Sequence, residues 1–281
     1  MKCATTTLAT QLAAQDGIYI SDPKEPNFFS DDDIFAKGVQ WYTSLFDNAA
    51  AGDLVGEAST HYTKLPMYPE TIQRFTSVLD DVKLIYVMRH PIDRLVSQYI
   101  HEWSQCIVIG SIEEEIGKNP WMIDYGRYAM QLSPWLEAFG PDKILPVFNE
   151  RLRTHPQQEL ERVCTFLGYK GAPVWADAGD QNVSSQRLKK STLRDAILNA
   201  PGLKQLRQGL VPQGLRDWAK GFWQMNSKPE LSENVRQQLE MLYDDDLQQL
   251  GSLLGHSITC ANFKSLTEST PMTFVRTQER V

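Results

Sequence analysis

The longest nearly unbroken apolar run in this chain is VKLIYVMR, residues 82–89, the pattern of a strand buried on both faces. A second run, KILPVF at 143–148, follows the breaker pair Gly140-Pro141 and predicts another strand. Shorter runs predict strands at 17–20 and 54–57. Between them, apolar residues recur at helical spacing and predict helices over 5–15, 69–79, 92–103, 128–139 and 157–167, the last closed by Gly168. Tyr128, Leu132, Trp135, Leu136 and Phe139 fall on one face of the fourth of these, so they are expected to point into the core. Helices and strands alternate and no internal repeat is visible, which favours an α/β fold: a parallel sheet of about four or five strands with helices on both faces.

The character changes from about 171 to 221, where Gly, Pro, Ser and basic residues predict loops and short helices. An amphipathic helix is expected over 232–254, with Ser232 as its N-cap and Gly255 just past its end. The polar residues beyond it are expected to form a loosely packed tail, giving one domain over 1–255 and a tail over 256–281.

Composition narrows the function. The 281 residues carry a formal net charge of −7, which argues against non-specific nucleic-acid binding, so an anionic ligand must be met by a local basic site. The four cysteines are widely spaced, with no Cys/His cluster, so neither a zinc site nor a disulfide framework is expected and no metal is called for. No stretch approaches the roughly 18 apolar residues of a membrane span, and the N-terminus lacks the apolar segment of a signal peptide. The chain is therefore expected to be cytoplasmic.

Two constellations carry candidate chemistry. In MKCATTTL, Lys2 with Thr5, Thr6 and Thr7 stands where a loop passes into a helix. Backbone N–H groups there attract an anion, lysine adds charge and hydroxyls add donors. In RHPIDRLVS, Arg89 ends the strongest strand, where ligands of open parallel sheets bind, and Ser97 lies two turns into the next helix. Two anion sites at neighbouring strand ends suit one ligand with two phosphate groups.

These residues resemble the motifs of sulfotransferases that use 3′-phosphoadenosine 5′-phosphosulfate (PAPS). KEPNFFS (24–30), GVQWYTSLF (38–46), GEASTHY (56–62) and the stretch 124–169 are similar, in order and spacing, to the heparan-sulfate-type branch and its bacterial relatives. The resemblance implies a P-loop-like fold and transfer of a sulfuryl group from PAPS to a hydroxyl or amine, on a carbohydrate or small metabolite, releasing 3′,5′-adenosine bisphosphate (PAP). It implies that Lys2 stabilises the leaving group, that Thr5, Thr6 and Thr7 hold the 5′-phosphosulfate, and that Arg89 and Ser97 hold the 3′-phosphate. Glu25 would be the catalytic base. Arg187, Lys189 and Lys190 fall where a later loop of the family closes over the nucleotide. Some members carry His where Asn27 stands and many carry Lys where Ala58 stands, so Asn27 and nearby His61 are the candidate acceptor contacts.

In that family an apolar central strand precedes the phosphosulfate loop, so the sheet is expected to lack its first strand and, if it does, activity to be weak. The alternative reading is a catalytically dead nucleotide-binding or interaction protein. A P-loop kinase is disfavoured, because Lys2 is followed by Cys3 and the best strand ends in Arg89 rather than a magnesium-binding Asp.

Overall fold

The computed structural model describes residues 1–176 and 229–276. In chain order, α1 (Thr5–Ala13) leads into β1 (Ile18–Ile20), and α2 (Asp32–Phe35) and α3 (Val39–Ser44) precede β2 (Leu54–Gly56). A 3-10 turn (Thr60–Thr63) and α4 (Thr71–Val78) follow, then β3 (Leu84–Met88), α5 (Pro91–Ser104), α6 (Ile112–Lys118), α7 (Trp121–Asp124) and α8 (Tyr128–Phe139). Next come β4 (Ile144–Phe148), α9 (Asn149–Thr154) and α10 (Pro156–Leu167), and later α11 (Glu233–Leu254) and α12 (Phe263–Ser269).

β1 pairs with β2 in parallel, Ile18 opposite Leu54, and β3 pairs with β4 in parallel, Leu84 opposite Ile144 and Met88 opposite Phe148. Side chains alternate across a strand, so β3 and β4 each feed two cores. Ile144 and Phe148 pack with α5, α8 and α11, whereas Leu145 and Val147 pack with Leu8 and Leu12 of α1 and Leu160 and Val163 of α10. Helices on both faces follow directly from this alternation.

The single sheet expected from the sequence is instead two parallel pairs, with no hydrogen-bonded strand joining them among the described residues. A cavity of about 210 Å³ lies between them, lined by Ile20 of β1 and by Leu84, Ile85, Tyr86 and Val87 of β3. No described segment supplies the strand that would bridge them, so the facing edge of β3 has no ladder partner among the described residues.

The loose tail expected after residue 255 is also corrected. Ile258, Phe263 and Met272 are fully buried, and Phe263 packs edge-on against Phe148 at 5.7 Å between ring centroids. The reason is polar as well as apolar. The Glu159 carboxylate is wholly enclosed between Arg151, at 3.2 Å, and Arg162. The same guanidiniums donate onward, Arg151 to the Glu268 carbonyl at 3.0 Å and Arg162 to the carbonyls of Met272 at 3.1 Å and Pro146 at 2.7 Å. One buried ion triad thus ties β4 and α10 to the last described segment. Removing the carboxylate leaves two guanidiniums without their anion, so Glu159→Ala is expected to lower unfolding free energy by about 3–5 kcal/mol, read by urea denaturation.

Candidate active site

The site is built around the end of β3. Arg89 follows the strand directly, and the hydroxyl of buried Tyr128 engages both of its backbone groups, accepting from the N–H at 3.2 Å and donating to the carbonyl. The next N–H, of His90, donates to the Glu150 carboxylate at 2.9 Å, and the His90 ring meets the Cys260 carbonyl at 3.1 Å. Pro91 then opens α5, whose missing N–H costs nothing at that position. With the main chain fixed, the Arg89 guanidinium reaches the Lys2 carbonyl, Nη1 to O at 3.4 Å.

That contact brings together the two sequence motifs. Lys2 and Ala4 have φ of 66° and 67°, so the loop curls through two left-handed residues before α1. α1 has no side-chain cap and no acidic residue in its first turn, so the N–H groups of Thr5, Thr6 and Thr7 open an anion-attracting helix start. Ser97 lies buried on α5, two turns after Arg89. Lys2 also reaches α5 electrostatically, where its charge and that of Lys64 favour ionisation of Glu102 against a dominant push up from burial.

The cavity is lined by Met1, Cys3 and Thr5 as well as by Glu57, Ala58, Ser59 and Thr60, and the carboxylate motif joins this wall through Thr60 and Ser59. Glu25 accepts from Lys24 Nζ at 2.8 Å and from the Thr60 hydroxyl at 3.1 Å. Asn27 follows, with its side-chain oxygen buried and without a hydrogen-bond partner among the described residues. His61 stacks on Tyr68, centroids 4.9 Å apart. Arg187, Lys189 and Lys190 lie outside the described residues.

A family model for the sulfotransferase domain matches residues 21–251. The chain belongs to the sulfotransferase domain family. Mouse heparan sulfate glucosamine 3-O-sulfotransferase 3B1 is 35% identical over 155 residues, covering 52% of this chain and 38% of the mouse protein. Mouse bifunctional heparan sulfate N-deacetylase/N-sulfotransferase 3 is 28% identical over 187 residues, covering 59% of this chain and 21% of that protein. The chain therefore spans well under half the length of these relatives. The crystal structure of a sulfotransferase from Alicyclobacillus acidocaldarius shares the fold, with a TM-score of 0.64 and 22% identity over 92% of this chain and 93% of that one.

Electrostatics divides the candidate site into two halves. Burial pushes the Glu25 carboxyl up, but the Lys24 ammonium and the Thr60 hydroxyl outweigh it and hold the group below its usual value, so Glu25 is ionised at neutral pH. Burial and the Lys64 charge lower His61 to about 4, leaving a neutral ring. Lys64, lowered by burial to about 8, has its Nζ 5.6 Å from the centre of the Tyr125 ring. Gln131 holds it there by clamping both backbone groups of Leu65, each at 2.8 Å.

The sequence did not single out Tyr128 as more than a core residue, nor Glu57, Ser59, Thr60 and Lys64 as site residues. Glu57 is the most perturbed of these carboxyls, raised to about 7 by desolvation against the opposing hydrogen bonds of Tyr62 and Ser59. The folded chain keeps that proton up to about pH 7, whereas an ordinary Glu releases it near 4.5, so the folded state binds more protons in that window. Its contribution to stability falls as pH rises through the window. Glu57→Gln, which cannot ionise, is expected to gain on the wild type by more than about 1.4 kcal/mol between pH 5 and pH 8, measured by denaturation at each pH. An unchanged difference across that range would contradict the assignment.

Proposed function

We propose that this chain moves a sulfuryl group from PAPS to a hydroxyl or amine of a carbohydrate. The observation that carries the reading is the Arg89 guanidinium against the Lys2 carbonyl, which brings the two candidate anion-binding motifs together at one end of β3. The chemistry of the residues fits a donor with two phosphate groups. The start of α1 with Thr5, Thr6 and Thr7 offers N–H and hydroxyl donors to the 5′ side, and Arg89 with Ser97 offers a guanidinium and a hydroxyl to the 3′-phosphate. The names of the relatives, a heparan sulfate glucosamine 3-O-sulfotransferase and a heparan sulfate N-deacetylase/N-sulfotransferase, support a carbohydrate acceptor.

Sulfuryl transfer, like phosphoryl transfer, depends on in-line positioning and on neutralising the leaving phosphate more than on covalent help. In the proposed step the acceptor oxygen or nitrogen forms its bond to sulfur while the bond from sulfur to the phosphate oxygen breaks, and PAP leaves. Glu25 takes the proton from the acceptor. Its two oxygens each accept one bond, from Lys24 and from Thr60, and each retains a lone pair for the incoming hydroxyl. Lys2 places a positive charge beside the departing phosphate. Asn27, whose buried oxygen lacks a donor among the described residues, is suited to receive a second acceptor hydroxyl, and the neutral His61 ring to line the sugar.

The test uses radiolabelled PAPS with desulfated heparan oligosaccharides as acceptor. Glu25→Gln is expected to lower kcat by about 10²–10⁴-fold, the usual value of a positioned base, with PAP affinity unchanged. Wild-type turnover in that variant would overturn the role of Glu25. PAP binding without transfer to any sugar acceptor would favour the non-catalytic alternative.

A further inference from the structure

Glu25 and Asn27 are both held at positive φ, 62° and 55°, in a conformation that side-chain-bearing residues rarely adopt. Such a turn persists only where its surroundings over-determine it. From below it is anchored by Phe28 and Phe29, both fully buried, Phe28 stacked on Tyr42 at 4.7 Å and Phe29 against Phe75 at 4.0 Å. The Asn27 carbonyl accepts from the N–H of Ser30 at 3.1 Å and of Asp31 at 3.0 Å. These contacts fix the chain on the C-terminal side of the turn. They leave the Asn27 N–H and the Glu25 side chain to be fixed from elsewhere.

One short segment after β2 reaches both, while Lys24 holds the other Glu25 oxygen. The Asn27 N–H donates to the Ser59 hydroxyl at 3.0 Å, and that hydroxyl donates to Glu57 Oε2 at 2.7 Å. Glu57 Oε1 accepts from the Tyr62 hydroxyl, and Thr60 holds Glu25 Oε2. The direction of these bonds matters. The Ser59 hydroxyl spends its one proton on Glu57 Oε2, which turns a Ser59 lone pair toward the Asn27 N–H. Both Glu57 oxygens accept from hydroxyls of its own segment, Ser59 and Tyr62, which places Glu57 behind the turn as a brace.

We propose that Glu57 and Ser59 are positioning residues for Glu25. Ser59, polarised by Glu57, locks the left-handed turn that presents the Glu25 carboxylate to the acceptor. This rests on the reading of Glu25 as the base, and it adds the residues that set its geometry.

The experiment compares Ser59→Ala, Ser59→Thr and Glu57→Gln with the wild type by hydrogen–deuterium exchange over residues 24–31 and by turnover of PAPS with desulfated heparan oligosaccharides. Ser59→Ala is expected to speed exchange at the Asn27 amide at least about tenfold and to lower kcat by about tenfold with KM for PAPS unchanged. Ser59→Thr, which keeps the hydroxyl, is expected to restore both. Glu57→Gln, nearly isosteric, is expected to move them in the same direction as Ser59→Ala and provides the test if that variant fails to fold. Wild-type exchange and kcat in Ser59→Ala, alongside an inactive Glu25→Gln, would overturn the brace and leave the base intact. Full turnover in Glu25→Gln would instead overturn the base, while the exchange rates would still decide whether Ser59 holds the turn.

Discussion

A buried tyrosine hydroxyl must find partners or cost the protein free energy, and Tyr128 finds both of its own on the backbone of Arg89. That exchange fixes the point at which β3 stops. Because the next N–H is held by Glu150 and the His90 ring by the Cys260 carbonyl, the chain turns into α5 in a single determined way. The Arg89 side chain is consequently aimed at the loop before α1. The proposed anion-binding geometry, the start of α5 and the burial of the segment after α11 all depend on this junction.

The same junction is what would let an acidic protein hold the proposed anionic donor. The net charge of −7 is spread over the chain, whereas the Arg89 guanidinium meets the loop of Lys2 just before the uncapped start of α1. Local field, not net charge, is what such a ligand meets. Around Glu25 the logic is reversed. Glu25 is kept ionised by Lys24 and Thr60, while Glu57 is pushed toward its neutral form by desolvation. Two carboxyls linked to the same short segment after β2 therefore differ in their tendency to ionise at neutral pH. That difference suits one to accept a proton and the other to hold the scaffold.

Much of this was legible in the sequence because it lies in strong local patterns. The apolar run ending at Arg89 became β3, the 3.6-residue period placed Tyr128 and Trp135 in the core, and Ser232 and Gly255 bound α11 as capping residues should. The sulfotransferase family was readable from the ordered motifs around Lys2, Glu25, Arg89 and Ser97, and the domain match over 21–251 agrees with it. Other features depended on long-range partners. The segment after Gly255 looks polar by composition, yet Ile258, Phe263 and Met272 are spaced to reach the core once Arg151 and Arg162 tie the backbone down. Short helices such as α6 escaped the periodicity reading, although its capping box of Ser111 and Glu114 is a signal that could have found it. Nothing in GEASTHY by itself says that Ser59 bonds the backbone 32 positions earlier.

The measurement that tests the central claim most directly is calorimetric titration of PAP into the full chain and into Arg89→Ala. The account predicts one site per chain in the wild type and a loss of at least about tenfold in affinity when the guanidinium is removed, the effect of deleting one charge-assisted hydrogen bond. Equal affinity in both proteins, or no binding by the wild type, would contradict the placement of the nucleotide at the end of β3.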